Sequence, residues 1–320
     1  MAKILLTRRW TPEVEQYLSQ RHEVTLNTDD VPMDAAALAA AMTTHDVICP
    51  TVTDRLDAAV IRTPGARVKL IGNFGVGYNH IDVAAARAAG ITVSNTPDVL
   101  TDATADIALL LILMATRRAG EGERELRAGR WTGWRPTHLM GLGLAGKTLG
   151  LVGFGRIAQA TAQRARAFGL NIAYHGRRRA TPDAEASCNA RYVASLDELV
   201  ASCDILSLHC PGGAETHHLI NRERLAMLKP TAVLVNTARG TVVDEAALAE
   251  ALATRRIAAA GLDVYEREPV VHPDLLGLEN VALLPHLGSA TQETRTAMGM
   301  RVVSNIERFL AGQPVLDPVG

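Results

Sequence analysis

Net charge is nearly absent from this 320-residue chain: 33 lysines and arginines face 34 aspartates and glutamates, and the formal balance at pH 7 is −1. Without a field of one sign there is nothing to gather nucleic acid or an anionic membrane. Cysteine is scarce, with only Cys49, Cys188, Cys203 and Cys210, and no pair is spaced C-x-x-C. Free thiols of a reducing compartment are therefore expected, which places the chain in the cytoplasm. No metal is expected, because His209-Cys210 and His217-His218 lack the second cluster that a closed site requires. Long apolar runs are missing too. The longest, 107–115, is about half the ~20 residues of a membrane helix, and Asp106 and Arg117 bracket it. The apolar stretch of the opening M-A-K-I-L-L-T-R-R is too short for a signal peptide, so none is expected. Hydrophobic residues make up 48% of the chain and charged residues 21%, which predicts a packed protein of about two domains at roughly 150 residues each.

Short β-rich runs alternate with alanine-rich stretches. Residues 3–6, 23–26, 46–49, 68–71 and 91–93 read as strands, and 12–20, 34–42, 54–61 and 80–89 as helices, the last ended by Gly90. Residues 101–129 break the rhythm as one long helical stretch, very apolar at its centre. Residues 129–146, rich in Gly and Trp, read as an irregular arm. Alternation then resumes, with strands at 148–152, 171–174, 205–208, 232–235, 259–262 and 281–284, a helix at 156–168 and an amphipathic helix at 290–310. This order predicts an α/β protein built from two doubly wound, parallel-sheet, Rossmann-like domains.

The strongest local signal is L-G-L-V-G-F-G-R-I-A-Q-A at 149–160, passing from strand through a glycine turn into a helix. Gly153 permits the tight turn, Gly155 lets the backbone approach a pyrophosphate, and Ala158 stands where a third glycine often packs helix on strand. Gly153, Phe154, Gly155, Arg156 and Ile157 are thus the expected phosphate contacts of a dinucleotide. About twenty residues on, an NAD site would place a carboxylate on the ribose 2′-hydroxyl. Gly176 stands there instead, followed by Arg177 and Arg178. Guanidinium groups suit a 2′-phosphate, which predicts NADP(H) as the preferred cofactor with NAD(H) possible. Arginine pairs recur elsewhere in the chain (Arg8-Arg9, Arg117-Arg118, Arg255-Arg256), so the missing carboxylate is the more informative half of this signal.

Three segments carry polar residues just after buried strands: V-L-V-N-T-A-R-G-T-V-V-D at 233–244, G-L-D-V-Y-E-R-E-P at 261–269 and L-L-P-H-L-G-S-A-T at 283–291. Ligands of open parallel sheets bind beyond the carboxyl ends of the strands, where Arg239, Asp263, Glu268 and His286 are placed to converge.

The order and spacing of these segments resemble the D-isomer-specific 2-hydroxyacid dehydrogenase family. The loop G-N-F-G-V-G-Y-N-H-I-D at 72–82, V-L-T-D-A-T-A-D at 99–106 and G-R-W-T-G-W at 129–134 match as well. The resemblance covers nearly the whole chain, and the G-V-G-Y-N-H-I-D loop and W-T-G-W arm look most like the glyoxylate/hydroxypyruvate reductases. It implies reduction of a small 2-keto acid such as glyoxylate or hydroxypyruvate, with His286 protonating the carbonyl oxygen while hydride arrives from the nicotinamide. Glu268 beside it would favour the charged imidazole. Arg239 would bind the substrate carboxylate. Val52, Gly75, Val76 and Gly77 are implied substrate contacts, with the loop N–H groups taking the other carboxylate oxygen. Thr104, Cys210, Pro211, Thr216, Thr237, Ala238, Asp263 and Gly288 are implied cofactor contacts, alongside Arg239 and His286. The resemblance further implies a discontinuous, flavodoxin-like substrate domain (1–99 and 288–320), a cofactor domain (100–287), a cleft that closes on substrate, and a homodimer through the 101–146 helix and arm. Other D-2-hydroxy acids on the same machinery (D-lactate, 2-ketogluconate, 3-phosphoglycerate), phosphite, and a dinucleotide-sensing corepressor are the alternatives. A phosphoglycerate site calls for basic residues near 72–77, where Phe74, Tyr78 and His80 supply little.

Overall fold

Strands of three or four residues, apolar at the centre of the sheet, alternate with helices in the first unit, Met1–Leu100 with Ser289–Gly320, in a computed structural model of residues 1–320. In chain order they are β1 (Lys3–Leu6), α1 (Pro12–Ser19), β2 (Glu23–Leu26), α2 (Ala35–Thr44), β3 (Val47–Cys49), α3 (Ala58–Ile61), β4 (Leu70–Gly72), α4 (Val83–Ala88) and β5 (Thr92–Ser94). The strands pair in parallel in the order β2-β1-β3-β4-β5. Alternate residues serve opposite faces. Ile48 and Ile71 pack with Leu38, Met42 and Ile61, while Val47 and Leu70 pack with Val14, Leu18 and the C-terminal helix residues Val302 and Ile306. Burial on both faces explains why the inner strands β1, β3 and β4 are apolar runs, whereas the edge strand β2, Glu-Val-Thr-Leu, has no buried residue. The helix expected over 54–61 forms only at Ala58–Ile61, where Asp57 caps it by accepting from Ala59 and Val60. Asp54 is drawn into the loop instead, accepting from the Thr7 hydroxyl at 2.6 Å and the Thr51 N–H at 2.8 Å.

The second unit, Thr101–Gly288, runs α5 (Thr101–Thr116), α6 (Ala119–Arg127), β6 (Thr148–Val152), α7 (Arg156–Ala167), β7 (Asn171–His175), α8 (Pro182–Cys188), β8 (Ala190–Tyr192), α9 (Leu196–Ser202), β9 (Ile205–Leu208), α10 (Arg222–Met227), β10 (Val233–Asn236), α11 (Glu245–Ala253), β11 (Ala259–Leu262), α12 (Pro273–Leu276) and β12 (Val281–Leu283). The C-terminal helix, α13 (Gln292–Leu310), returns to the first unit. Seven strands pair in parallel in the order β12-β11-β10-β9-β6-β7-β8. The apolar run 107–115 lies in α5, whose Leu111 and Ile112 pack on Leu149, Leu151, Val233 and Val235. Truncating either to alanine costs about 2–5 kcal/mol by the usual cavity rule. No helix is long and apolar enough to cross a membrane.

The single helical stretch expected over 101–129 is two helices. Arg118 takes a left-handed φ of 53°, and the arm turns back so that the Leu142 N–H donates to the Thr116 carbonyl at 2.8 Å. That bond uses an acceptor at the end of α5, and the chain restarts as α6. Residues 128–147 carry neither helix nor strand, and they leave Trp131 and Trp134 52% and 82% exposed.

Candidate active site

β6 pairs with β7 on one side and β9 on the other, so the strand order reverses there and the ends of these strands frame a crevice suited to a ligand. The turn that leaves β6 is closed by Gly153 at φ +89°. A Cβ there would stand 2.9 Å from the His209 carbonyl oxygen and 3.0 Å from the Cys210 nitrogen, so only glycine allows this approach. Gly155 caps α7 without a side chain, and a Cβ on it would meet nothing within 4 Å. The first turn of α7 therefore presents main-chain donors and the positive end of the helix to open space, which fits an anion. The Phe154 ring turns inward and stacks on Tyr174 with centroids 4.0 Å apart, leaving its main chain toward a ligand. Arg156 is exposed and Ile157 half-buried. The Thr216 hydroxyl donates to the Pro211 carbonyl at 2.7 Å and closes the loop that begins at half-buried Cys210. Thr237, just past β10, holds a buried hydroxyl with no partner in the protein. The bare turn and this orphaned hydroxyl fit a dinucleotide. Beyond β7, Gly176 is followed by Arg177, which pairs with Glu215 at 2.9 Å on the surface, and by exposed Arg178.

Three adjacent strands, β10, β11 and β12, deliver the charged groups. After β10, Asn236 shapes the turn: its Oδ1 accepts the Ala238 N–H at 3.0 Å and its Nδ2 donates to the Arg239 carbonyl at 2.9 Å. Arg239 is half-buried, and its Nη1 donates to the Ala238 carbonyl at 2.6 Å. Burial pulls its pKa down from the usual arginine value, while Glu268 opposes that shift. After β11 come Asp263, Tyr265 and Glu268. The Glu268 Oε2 lies 2.8 Å from His286 Nδ1, and its Oε1 accepts the Tyr265 N–H at 3.1 Å. Burial pushes the Glu268 carboxyl up, but the bond to His286 and its charge, the Tyr265 N–H and Arg239 outweigh it, so the net shift is downward. With Nδ1 committed to Glu268, the Nε2 of His286 is the nitrogen available for proton transfer.

His286 itself sits at φ 55°, a conformation that costs a side-chain-bearing residue on the order of 1–3 kcal/mol. Buried Asp263 braces it, its two oxygens accepting the Leu287 N–H at 2.6 Å and the Gly288 N–H at 2.8 Å. Burial raises the Asp263 carboxyl against those bonds and the His286 charge. The Thr104 hydroxyl donates to the Gly288 carbonyl at 3.0 Å. The Tyr265 hydroxyl donates to the Leu284 carbonyl at 2.9 Å, joining the ends of β11 and β12. Asp263 and Thr104 are thus seen at work on the main chain around His286.

In the first unit, the glycine loop after β4 has its carbonyls turned inward. Buried Asn73 donates to the carbonyls of Gly75 (2.9 Å) and Gly77 (3.1 Å), Asn95 donates to that of Val76 (2.8 Å), and the Thr96 N–H reaches Gly75 as well. The Val76 and Gly77 N–H groups donate no bond within the protein. A Cβ on Gly75 would lie 3.8 Å from Val52 Cγ1, so these two sequence candidates are neighbours.

Sequence reasoning missed Asn73, Asn95, Asn236 and Tyr265, which orient the loops. The available signal was a polar amide directly at a strand end: Asn73 follows β4, Asn95 follows β5 and Asn236 ends β10. A cavity of about 580 Å³ opens at the other ends of β10–β12, lined by Val233, Ala259, Val281 and Met140, and it contains none of the trio.

A glycine turn at the strand-order reversal, with an Arg–Glu–His trio on three neighbouring strands, defines a dinucleotide-binding dehydrogenase. A family model described as D-isomer specific 2-hydroxyacid dehydrogenase, NAD binding domain, matches residues 109–288. A glyoxylate reductase of Thermococcus litoralis is 42% identical over 97% of this chain and 94% of its own length. The crystal structure of an NADPH-dependent glyoxylate/hydroxypyruvate reductase from Sinorhizobium meliloti, in complex with NADP and malonate, is similar with a TM-score of 0.88 at 39% identity, covering 100% of this chain and 97% of that one. A glyoxylate reductase from Paecilomyes thermophila gives a TM-score of 0.88 at 36% identity over 99% and 98%. The chain belongs to the D-isomer specific 2-hydroxyacid dehydrogenase family.

Proposed function

We propose that this protein reduces a small 2-keto acid, glyoxylate or hydroxypyruvate, to the 2-hydroxy acid with NADPH in preference to NADH. The observation that carries this reading is the 2.8 Å contact of His286 with Glu268, beside Arg239 on a neighbouring strand end. The planar fork of Arg239 pairs with the substrate carboxylate and orients the ketone. His286 donates the Nε2 proton to the ketone oxygen as negative charge develops there. Glu268 fixes the ring orientation and stabilises the imidazolium before the transfer. A reduced nicotinamide dinucleotide, held by the glycine turn at 153–157 and by Thr237, supplies the hydride when bound.

NADPH preference is supported by Gly176, Arg177 and Arg178 beyond β7, where the strand tip itself carries no carboxylate for a ribose 2′-hydroxyl. The Arg177–Glu215 pair is highly exposed on both sides, and such pairs give way readily to a better anion. A homodimer through residues 101–146 is supported by the exposed apolar side chains of Leu126, Trp131, Trp134 and Met140. Trp134→Asp is expected to sediment as a monomer, and an unchanged assembly overturns that contact. A cytoplasmic location is supported by four free cysteines. The function is tested by mixing purified protein with glyoxylate or hydroxypyruvate and each reduced cofactor. Loss of reduced-nicotinamide absorbance, faster with NADPH, is expected; no turnover of either acid overturns the reading.

A further inference from the structure

Glu245 opens α11 as a buried carboxylate, 4% exposed, in a place that no step above uses. It is not needed as the helix cap, because the Asp244 side chain already accepts the Ala247 N–H at 2.9 Å. Its Oε1 accepts the Glu266 N–H at 2.7 Å, reaching from the segment that carries Arg239 across to the segment that carries Glu268. The seam it crosses is very tight: a Cβ on Gly240 would fall 1.8 Å from the Tyr265 carbonyl carbon and 2.3 Å from the Glu266 nitrogen. A third strip joins the same seam. The His218 N–H donates to the Thr241 carbonyl at 2.8 Å, and the His218 ring bonds the Glu266 side chain. One residue before Glu266, the Tyr265 N–H holds Glu268. The titratable groups facing Glu245 are Glu266, His272 and Tyr265. Burial raises the Glu245 carboxyl, and the N–H groups of Glu266 and His272 oppose that rise.

We infer that Glu245 is a positioning residue for proton delivery: by anchoring the Glu266 N–H it locks the Glu268 loop against the Arg239–Gly240 turn and so sets where Glu268 meets His286. A neutral, well-packed side chain would satisfy the core at this point, whereas a buried carboxylate is costly unless its bond matters. This inference rests on the function proposed above.

The test compares Glu245→Ala, Glu245→Asp and Glu245→Gln in the full chain. Glu245→Gln retains an acceptor oxygen and is expected to keep kcat within about threefold, while Glu245→Ala loses about 100-fold, the scale of a misplaced catalytic group. Glu245→Asp keeps the charge on a shorter arm and falls between them, which preserves the test should the alanine variant fail to fold. KM for NADPH stays unchanged in all three. The second readout needs no substrate: the chemical shift of the His286 Cε1–H resonance at one fixed pH, identified by its loss in His286→Asn. It should change in Glu245→Ala and Glu245→Asp, as the ring's contact with Glu268 is displaced, and stay put in Glu245→Gln. A folded aspartate or alanine variant with wild-type kcat and an unchanged His286 resonance overturns the inference. If the wild-type protein turns over no 2-keto acid, the proposed function fails, and the His286 resonance still decides the role of Glu245.

Discussion

The carboxyl ends of β6 and β7 and those of β10, β11 and β12 belong to one sheet, yet they are furnished in opposite ways. At the first, Gly153, Gly155 and Gly176 strip side chains from the turns, and Phe154 folds its ring away against Tyr174. At the second, every loop bears a charge, and each charge is held by a neighbour: Arg239 by the Asn236 turn, Glu268 by the Tyr265 N–H, His286 by Glu268 and by the Asp263 brace. The difference matches the two tasks proposed for these ends. Phosphates are held best by converging main-chain donors, which side chains would obstruct. Proton transfer needs a charged group fixed within a few tenths of an ångström, which a lone side chain cannot achieve.

His286→Ala should give the largest effect, lowering kcat by about 10³-fold or more, since a positioned acid typically contributes 10²–10⁴. NADPH affinity, followed by fluorescence titration, should fall by less than about tenfold, because His286 is one of many implied contacts and the glycine turn is untouched. Arg239→Lys comes next, with about a 100-fold loss in kcat/KM for glyoxylate, because an ammonium cannot reproduce the bidentate fork. At the other end of the sheet, Arg177→Asp should shift the NADPH-to-NADH ratio of kcat/KM about tenfold toward NADH, the worth of about 1.4 kcal/mol. An unchanged ratio would reject the reading of Gly176 and its arginines.

The smallest contrast is in acid stability. Glu185, beneath the β7 end, is held at about 2 by its bonds to Arg179 and the Tyr174 hydroxyl. A depressed carboxyl contributes stability that is present above its unfolded value and is lost as pH falls toward about 2. Asp263 is raised by burial, so the native state binds its proton more tightly and stability declines as pH rises from about 3.9 through the folded value. Thermal midpoints across that acid range should lose the first slope in Glu185→Gln and the second in Asp263→Asn.

The strand–glycine–helix passage at 149–160 was readable because each residue there is constrained by the main chain it must form. The parallel α/β class was readable for the same reason: β3, β4 and β9 are short apolar runs between helices. The break at Arg118 was not, because it depends on the Leu142 N–H arriving from twenty-odd residues away. Asp54 looked like a helix start until Thr7 and Thr51 claimed it. Arg239, Glu268 and His286 were legible as candidates from their place after strands and from family likeness. The amides that aim the loops were not, since an Asn after a strand is commonplace and only the fold shows whose carbonyl it binds. Glu245 is the extreme case, an acidic helix start in sequence and a cross-loop anchor in space.

Binding by bare main chain and chemistry by braced charge should separate cleanly when NADPH affinity and glyoxylate turnover are measured side by side on Gly153→Ala and His286→Ala. The account predicts a crossed result: Gly153→Ala weakens NADPH binding by about 5- to 150-fold, the equivalent of about 1–3 kcal/mol of strain at φ +89°, yet keeps kcat near wild type at saturating cofactor. His286→Ala loses turnover by about 10³-fold and NADPH affinity by far less. Parallel losses of affinity and turnover in both variants, or wild-type turnover without His286, would contradict it.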